Sequence, residues 1–291
     1  MARCLVTGHK GYIGSKLFRK LQDLGHDVIG IDLKEKYSKD IITTLREGND
    51  GKFHPHYYNF KPEYIFHMAC WPSVPLSTEQ PVKTTENNIM AGSILLNFAQ
   101  KVGSVKRLIY SSSSAILGNG LGPESPYALQ KWTTELETKL YSSLYGLETV
   151  SLRYFNVYSK DQRPSGPYST AICNWMHCIR SSTQPYITGD GEQRRDMVNI
   201  EDILSANIFC MNYEGLFGGH TFDVGTGEDI SLNEIKEIIL KHFPDLQFDY
   251  VEPREGDVNV SKANIKPLVD LGWRPKIKIS EGIDDCFRGL K

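Results

Sequence analysis

A tyrosine and a lysine four residues apart, Tyr127 and Lys131, carry side chains that could exchange a proton with a substrate. They follow Pro126 at the start of a helical pattern, so this separation places both on one helix face, one turn apart. A phenol with an ordinary pKa of about 10 is a poor base at neutral pH, but a nearby ammonium group stabilises the phenolate and lowers that pKa. The pair predicts general acid–base chemistry, although the same spacing also arises by chance on many helices.

A serine-rich segment just upstream could complete this pair. Residues 106–111 are predicted to form a buried strand that runs into Ser111, Ser112, Ser113 and Ser114. Parallel sheets bind ligands at the carboxyl ends of their strands, so a hydroxyl there could contact both the phenolate and a substrate oxygen. Ser113 is the predicted catalytic serine, and the alternative is that the run is only a polar turn.

A glycine-rich turn near the first residue predicts where a dinucleotide would bind. Gly8, Gly11 and Gly14 form the pattern G-x-x-G-x-x-G between an apolar strand at 3–7 and an amphipathic helix at 12–24. A helix N-terminus in this position presents N–H groups and a positive dipole end to a phosphate, and glycines let a pyrophosphate approach the backbone. The alternative is an ordinary glycine turn that caps a helix. The neighbouring residues predicted to contact the cofactor are Tyr12 and Ile13.

Asp32 ends the second apolar run, 27–31, and indicates which dinucleotide to expect. A carboxylate there can accept hydrogen bonds from the ribose hydroxyls of NAD and repels the 2′-phosphate of NADP. The sequence therefore favours NAD, a preference that Lys34 and Lys36 could weaken. Further cofactor contacts are predicted at Leu33, Asp40 and Ile41, the last two at the adenine.

The elements that must position these residues alternate between strand and helix. Strands are predicted at 3–7, 27–31, 64–68, 106–111 and 148–153, and helices at 12–24, about 82–102, about 126–145, 201–213 and 231–242. The alternation implies an α/β fold, a Rossmann-type doubly wound parallel sheet with right-handed crossovers and a smaller C-terminal substrate-binding lobe. We expect a cofactor-binding lobe at 1–155 with return segments near 195–225, a second lobe at 156–291 and a cleft between them. A short strand near 37–41 and a helix near 42–47 are also predicted.

Composition and charge argue against several classes of protein. The 291 residues are 40% hydrophobic with a net charge of −2, and the basic residues are not clustered, so neither a nucleic-acid nor a membrane partner is expected. No apolar run has the length of a membrane span and no signal peptide is recognised, so we expect a cytoplasmic protein. The six cysteines and eight histidines lack metal-ligand spacing, which predicts buried thiols in a reducing compartment and no metal site.

Taken together, these segments resemble the NAD-dependent epimerase/dehydratase family of extended short-chain dehydrogenases, which act on nucleotide-activated sugars. The matching segments are 7–14, 67–69, 88–89, 111–118, 127–131, 153–158, 189–202 and 254–257, so the resemblance covers nearly the whole chain. It implies that NAD contacts a further set of residues: Met68, Ala69, Asn88, Ser111, Tyr127, Lys131 and Tyr154.

The resemblance also implies how a nucleotide sugar, expected to be UDP-linked, would be held. Asn156 would bind its pyrophosphate, Arg195 and Arg254 would clamp the phosphates, and Asp257 would contact a ribose hydroxyl. Two guanidinium groups suit this role because they match phosphate oxygens bidentately, whereas a single one would more simply be a surface ion pair. The residues expected at the sugar are Ser113, Ser114, Tyr127 and Ser261.

The implied reaction begins with a transient oxidation at C4 of the sugar, in which Tyr127 takes the hydroxyl proton and NAD takes the hydride. Dehydratases of the family carry Asp-Glu directly after the catalytic Ser or Thr, and decarboxylases carry Glu two residues after it. Ser114 and Ala115 occupy these positions, and neither can act as a general acid or base. A 4-epimerase is therefore expected, with a dehydratase, a decarboxylase, an NADPH-dependent reductase and a non-catalytic NAD-binding relative as the alternatives.

Substrate range and assembly are expected from the same resemblance. Ser261 stands where hexose epimerases carry a bulky aromatic residue, so UDP-N-acetylhexosamines or UDP-sugars modified at C2 or C6 should fit. Three departures bear on this pocket: Leu117 replaces the usual Tyr, Ser159-Lys160 replaces Gly-Pro, and only eight residues separate Gly118 from Tyr127. A homodimer is implied through the helix of Tyr127 and the helix before the serine strand. Its candidate residues, which core packing would explain equally well, are Ile94, Leu95, Phe98, Leu136, Leu140 and Leu144.

Overall fold

The computed structural model describes residues 1–32, 55–164, 170–253 and 260–290. The chain divides into two compact units. The first comprises Met1–Ile116, Pro123–Arg153 and Leu204–Phe222, and the second comprises Leu117–Gly122, Tyr154–Ile203 and Asp223–Lys291. The strand and helix predicted at 37–41 and 42–47 lie outside the described residues, as do Leu33, Asp40, Ile41, Arg254 and Asp257.

Strands and helices alternate through the first half of the chain. In order they are β1 (Arg3–Thr7), α1 (Tyr12–Asp23), β2 (Asp27–Ile31), α2 (Pro55–Phe60), β3 (Tyr64–His67), α3 (Val74–Glu79), α4 (Pro81–Thr85), a π-helical turn (Glu86–Met90), α5 (Ala91–Val102), β4 (Arg107–Ser113), a 3₁₀ turn (Ser114–Leu117), α6 (Pro126–Tyr145) and β5 (Thr149–Tyr154). The five strands predicted here are confirmed to within two residues at each end.

The second half has shorter elements. They are β6 (Asn156–Tyr158), α7 (Ala171–Arg180), β7 (Tyr186–Thr188), β8 (Arg194–Arg195), β9 (Met197–Asn199), α8 (Ile200–Asn212), β10 (Thr221–Val224), β11 (Ile230–Ser231), α9 (Leu232–Leu240), β12 (Asp249–Val251), β13 (Val260–Ser261), α10 (Lys266–Asp270) and α11 (Ile279–Phe287). Helices α8 and α9 confirm those predicted at 201–213 and 231–242.

The main sheet has six strands in the order β10-β5-β4-β3-β1-β2. Strand β1 pairs in parallel with both β2 and β3, and β3 pairs in parallel with β4. The strand order reverses beside β1, which is the arrangement of a doubly wound Rossmann-type sheet. The predicted fold class is confirmed, and the carboxyl ends of β1, β3 and β4 lie along one edge of the sheet.

The single helix predicted at about 82–102 is wrong in detail, because the structure divides it into α4, the π-helical turn and α5. The turn buries the side chains of Asn87 and Asn88, which apolar periodicity cannot foresee. An extra residue in a helical turn changes which side chains face inward, and such turns are frequent at functional sites.

Each unit has an apolar core of its own. In the first, buried side chains of β1, β3 and β4, such as Leu5, Ile65 and Leu108, pack with Leu95 and Phe98 of α5. In the second, Trp175 and Met176 of α7 pack in a cluster with residues of α9 and α11. Among the residues that the structure describes, no helix combines the length and the apolar character needed to cross a membrane.

Candidate active site

The glycine turn packs its backbone so tightly that a Cβ at Gly8 or Gly14 would collide with neighbouring backbone atoms. Gly8 has a φ of +70°, and a Cβ built on it would lie 2.8 Å from the backbone of Ala69. A Cβ on Gly14 would collide with the carbonyl of Gly8, and the N–H of Gly8 donates to the carbonyl of Ile31 (2.7 Å). Gly11 is the N-cap of α1, and within the described segment 1–32 no side chain caps that helix. The turn therefore fits the pyrophosphate of a dinucleotide.

Asp32 lies directly against this turn. Its buried carboxylate accepts a hydrogen bond from the backbone N–H of Lys10 (2.9 Å), which ties the residue after β2 to the loop after β1. A carboxylate held beside the glycines suits a ribose hydroxyl, so the residues present fit the NAD expected from the sequence. Of the other predicted contacts, Tyr12 and Ile13 are half-buried on the first turn of α1.

The loop after β3 forms the adjacent wall of the turn, and a buried histidine supports it. Met68 N donates to the carbonyl of Thr7 (3.3 Å), and Ala69 N donates to the Thr7 hydroxyl (3.1 Å). That hydroxyl also hydrogen-bonds Nδ1 of His67 (2.8 Å). Burial, with the charge of Lys131 as a smaller cause, lowers the pKa of His67 to about 3, so its imidazole is neutral. Sequence reasoning missed Thr7 and His67 as supports of the site.

Ser113, Tyr127 and Lys131 all lie in the first unit, and Tyr127 and Lys131 are one turn apart on α6, as their spacing predicts. Ser125 caps α6 by accepting a hydrogen bond from Ala128 N (3.2 Å), which places Tyr127 in the first turn of the helix. The Tyr127 hydroxyl lies close to the side chain of Ser113 at the end of β4. One turn further on, the buried Nζ of Lys131 donates to the carbonyl of Ser111 (2.6 Å). The arrangement can pass a proton between a phenol and a substrate hydroxyl.

The phenol is a weaker acid here than in water. Burial raises the pKa of Tyr127 well above its ordinary value, and the hydrogen bond from Ser113 opposes that shift. Burial also raises the pKa of the neighbouring Cys70 thiol, against the charge and hydrogen bond of Lys131. The sequence indicated a place for Cys70 near the site only because it directly follows Ala69, a predicted cofactor contact.

Asn88 is engaged by protein groups. Its Oδ1 accepts a hydrogen bond from Trp71 N (2.9 Å), and its Nδ2 donates to Oε1 of Gln130 (2.7 Å). Gln130 in turn donates through Nε2 to the hydroxyls of Thr84 (2.9 Å) and Thr85 (3.2 Å). The network joins the loop after β3 to the helix of Tyr127 and Lys131. Contact between Asn88 and the cofactor stays a prediction, and Gln130 was missed.

The buried carboxylate of Glu135 connects three elements next to the predicted catalytic residues. Glu135 lies one turn beyond Lys131 and accepts a hydrogen bond from Ser112 Oγ (2.8 Å). It also accepts two from Arg153, at 2.6 Å and 3.1 Å. Ser112 precedes Ser113 on β4, and Arg153 lies near the end of β5, so one ion pair sets the relative position of β4, α6 and β5. The four-residue spacing from Lys131 to Glu135 was the available sequence signal.

In the second unit, strand pairing and hydrogen bonds bring Asn156, Arg195 and Ser261 close together. Ser261 is the register partner of Arg195 in the parallel pair β13–β8. Asn156 donates from both its backbone N (3.1 Å) and its Nδ2 (3.0 Å) to the carbonyl of Asp196, the residue after Arg195. Three predicted substrate contacts thus surround Asp196, which sequence reasoning did not single out.

The remaining predicted site residues are placed less specifically. Tyr154 is buried at the end of β5, and Ser114 begins the 3₁₀ turn after Ser113. Arg254 and Asp257 lie outside the described residues, so the predicted arginine pair stays a prediction. In the described part of the chain, no three His, Cys, Asp or Glu side chains are grouped to hold a metal ion, and the six cysteines are thiols.

Comparison with known proteins gives consistent results over the whole chain. The sequence profile of the NAD dependent epimerase/dehydratase family matches residues 4–225. The chain is 33% identical to a putative UDP-glucose 4-epimerase of Methanocaldococcus jannaschii, over 99% of this chain and 98% of the relative. The crystal structure of the UDP-glucose 4-epimerase of Thermotoga maritima with UDP-glucose superposes with a TM-score of 0.88 at 30% identity, covering 98% of each chain. The UDP-N-acetylglucosamine 4-epimerase of Methanobrevibacter ruminantium, in complex with UDP-N-acetylmuramic acid, gives a TM-score of 0.85 at 30% identity, covering 99% of this chain and 97% of that one.

Proposed function

Because this chain belongs to the NAD-dependent epimerase/dehydratase family, we propose that it inverts C4 of a UDP-linked sugar through a transient 4-keto intermediate. It is an NAD-dependent sugar-nucleotide epimerase of the extended short-chain dehydrogenase type, and NAD is its cofactor. The observation that carries the C4 proposal is that Ser113 lies close to the Tyr127 hydroxyl, with Lys131 buried one turn along the same helix.

The proton step is assigned to Tyr127. Its phenolate oxygen takes the proton of the sugar 4-hydroxyl and becomes the phenol, and we assign to the neighbouring Ser113 hydroxyl the role of orienting both oxygens. Burial, and to a smaller extent the neighbouring Cys70, raise the pKa of Tyr127, so the phenolate needs positive charge nearby, a role that we assign to the Lys131 ammonium group one turn along α6. Bound NAD supplies the hydride acceptor, and later the hydride donor, at C4.

The residues after Ser113 favour epimerisation over the other outcomes in the family. Ser114 and Ala115 enter the 3₁₀ turn, and the backbone N–H of Ala115 donates to Ser113 Oγ (3.2 Å). Neither side chain can donate or accept a proton as an acid or base would, so elimination of water and loss of carbon dioxide lack a catalyst at these positions. Rotation of the keto sugar and return of the hydride to its opposite face remain.

For the sugar we propose that the site accepts UDP-N-acetylhexosamine as well as UDP-glucose or UDP-glucuronate. The half-buried Ser261 on β13 has a small side chain beside the register position of Arg195, which leaves volume for an N-acetyl group. A relative of similar fold, from Methanobrevibacter ruminantium, is a UDP-N-acetylglucosamine 4-epimerase.

We further propose that the protein is cytoplasmic, because its six cysteines are free thiols, as expected in a reducing compartment. We also propose that two copies associate through α6. Leu136, Leu140 and Leu144 are 52%, 51% and 63% exposed and repeat every four residues along one face of that helix. Leu95 and Phe98, two other candidates for the interface, are instead buried in the core of the first unit. A second copy would remove the leucine stripe from water.

The reaction is tested by incubating the purified protein with UDP-glucose, UDP-N-acetylglucosamine and UDP-glucuronate in separate assays without added cofactor. We expect NMR to show 4-epimers with no net NADH. The Tyr127→Phe variant should retain bound NAD and lose at least about 10²-fold in kcat, because the proton acceptor is gone. Turnover that requires stoichiometric addition of NADPH would instead identify a reductase, and turnover of UDP-glucose without turnover of UDP-N-acetylglucosamine would contradict the proposed sugar range.

A further inference from the structure

We propose that Asp196 is a positioning residue that holds the nucleotide-binding residues Asn156 and Arg195, and the sugar-pocket residue Ser261, in register. The inference rests on the proposed function, because these three residues are predicted contacts of the UDP-sugar that the proposed function requires. Asp196 itself is fully buried, so the role that we propose for it requires no contact with the ligand.

The Asp196 side chain fastens two segments that are distant in sequence. Oδ1 accepts hydrogen bonds from the backbone N–H and the hydroxyl of Thr226, both at 2.8 Å. Oδ2 accepts from the backbone N–H of Gly227 (2.9 Å) and of Ala263 (3.2 Å). One carboxylate thus fixes the turn after β10 and the residue that lies two positions beyond Ser261.

The Asp196 backbone fastens the predicted ligand contacts directly. Its N–H donates to the carbonyl of Ser261 (2.6 Å), and its carbonyl accepts both the backbone and the side-chain N–H of Asn156. Arg195 is the adjacent residue on β8. Movement of this one residue therefore displaces all three predicted contacts together, in the same unit of the chain.

The surroundings of the Asp196 side chain fit a carboxylate and no larger or differently charged group. A Cβ on Gly225 would lie 2.6 Å from both Asp196 Oδ2 and the Ala263 Cβ, so a side chain there would push the carboxylate aside. Burial raises the pKa of Asp196, while the hydrogen bonds from Thr226, Gly227 and Ala263 stabilise its charged form. An amide cannot replace it, because either orientation of Asn would turn an NH₂ group towards a backbone N–H donor.

The test compares UDP binding, measured by titration calorimetry, in the wild type and in Asp196→Asn. We expect the Kd for UDP to rise about tenfold, which corresponds to one mispaired buried hydrogen bond. The KM for the UDP-sugar should rise in parallel while kcat stays within about twofold, because Ser113, Tyr127 and Lys131 lie in the other unit. Bound NAD should be unchanged.

Asp202→Asn is the matched control. Asp202 lies in the same unit, is equally buried and accepts backbone N–H groups of Lys276 (2.8 Å) and Ile277 (3.1 Å), neither of which is a predicted ligand contact. It should lower thermal stability without changing the Kd for UDP. If Asp196→Asn fails to fold, Thr226→Val removes the hydroxyl that donates to Asp196, along with its contacts to the Glu228 backbone, and should raise the Kd about threefold.

Wild-type affinity for UDP in the Asp196 variant, or an equal loss in the Asp202 control, overturns the inference. A wild-type protein that binds UDP but epimerises no UDP-sugar overturns the proposed function alone. A wild-type protein that binds no UDP overturns both, and the wild-type titration identifies that case before any variant is compared.

Discussion

At the scale of single residues, His67 shows how the site depends on a neutral buried group. Its ring is 3% exposed, hydrogen-bonds Thr7 and lies tilted over Tyr110 with ring centroids 5.4 Å apart. Its pKa is lowered to about 3 in the folded protein, below an ordinary value of 6.5. The unfolded chain therefore binds more protons than the folded one between these two values, and stability rises with pH through that interval.

We predict that the stability contributed by neutral His67 is complete above pH 6.5 and is lost as the pH falls from 6.5 towards 3. The expected loss is about 2 kcal/mol by pH 5, from 1.36 kcal/mol per pKa unit. Urea unfolding from pH 7 to 5 should give a shallower decline for His67→Asn than for the wild type. His177→Asn, which changes an exposed imidazole, should keep the wild-type slope, and an identical slope in all three proteins would contradict the assignment.

At the scale of elements, α6 is positioned by contacts along its whole length. Ser125 fixes its first turn, Gln130 joins it to the π-helical turn, and Glu135 joins it to β4 and β5. Gly146, with a φ of 66°, ends it. The predicted catalytic pair therefore owes its position to these polar side chains, which couple elements that are not adjacent in sequence.

Gln130→Leu should remove the link between α6 and Asn88 while preserving side-chain volume. Because Nδ2 of Asn88 loses its partner at 2.7 Å, we expect a loss of about 1–3 kcal/mol in the free energy of unfolding and a lower kcat. In a double-mutant cycle with Asn88→Leu, the loss in the free energy of unfolding of the double mutant should be about 1 kcal/mol smaller than the sum of the two single losses. Thr133→Val, which alters a hydroxyl bonded only within its own helix, provides the control. Simple additivity would refute the coupling.

At the scale of the whole molecule, the two units have separate cores and carry different predicted functions. The first holds the glycine turn, Asp32 and the catalytic residues, and the second holds Asn156, Arg195 and Ser261. The exposed leucines of α6 belong to the first unit, on the helix that also bears Tyr127 and Lys131. Association through this face would therefore rigidify the catalytic helix as well as bury apolar surface.

Substituting Leu140→Lys should convert the proposed dimer into a monomer, since it places a charge in the middle of the leucine stripe. Sedimentation velocity should show a dimer for the wild type and a monomer for the variant. Leu216→Lys changes a residue that is 82% exposed and lies off α6, so it should remain dimeric. A monomeric wild type, or a dimeric Leu140→Lys, would show that the stripe is not the interface.

The strands, the glycine turn and the predicted catalytic trio could all be inferred from the sequence. These features depend on local patterns: apolar runs for the strands, glycines where a Cβ would collide with the backbone, and a four-residue spacing on one helix. The cofactor preference also followed locally, because Asp32 comes at the end of β2, next to the turn. The family resemblance then supplied the reaction class that the trio alone leaves open.

The polar residues that support that chemistry could be identified only from the packing of the folded chain. The Asn88–Gln130 bond, the Glu135–Arg153 pair and the buried carboxylate of Asp196 each join segments between 18 and 67 residues apart. Hydrophobic periodicity reports burial along one element and carries no information about which distant donor will meet a given acceptor. That pairing is set by how the strands and helices pack, because a buried polar group must find its partner wherever the fold places one.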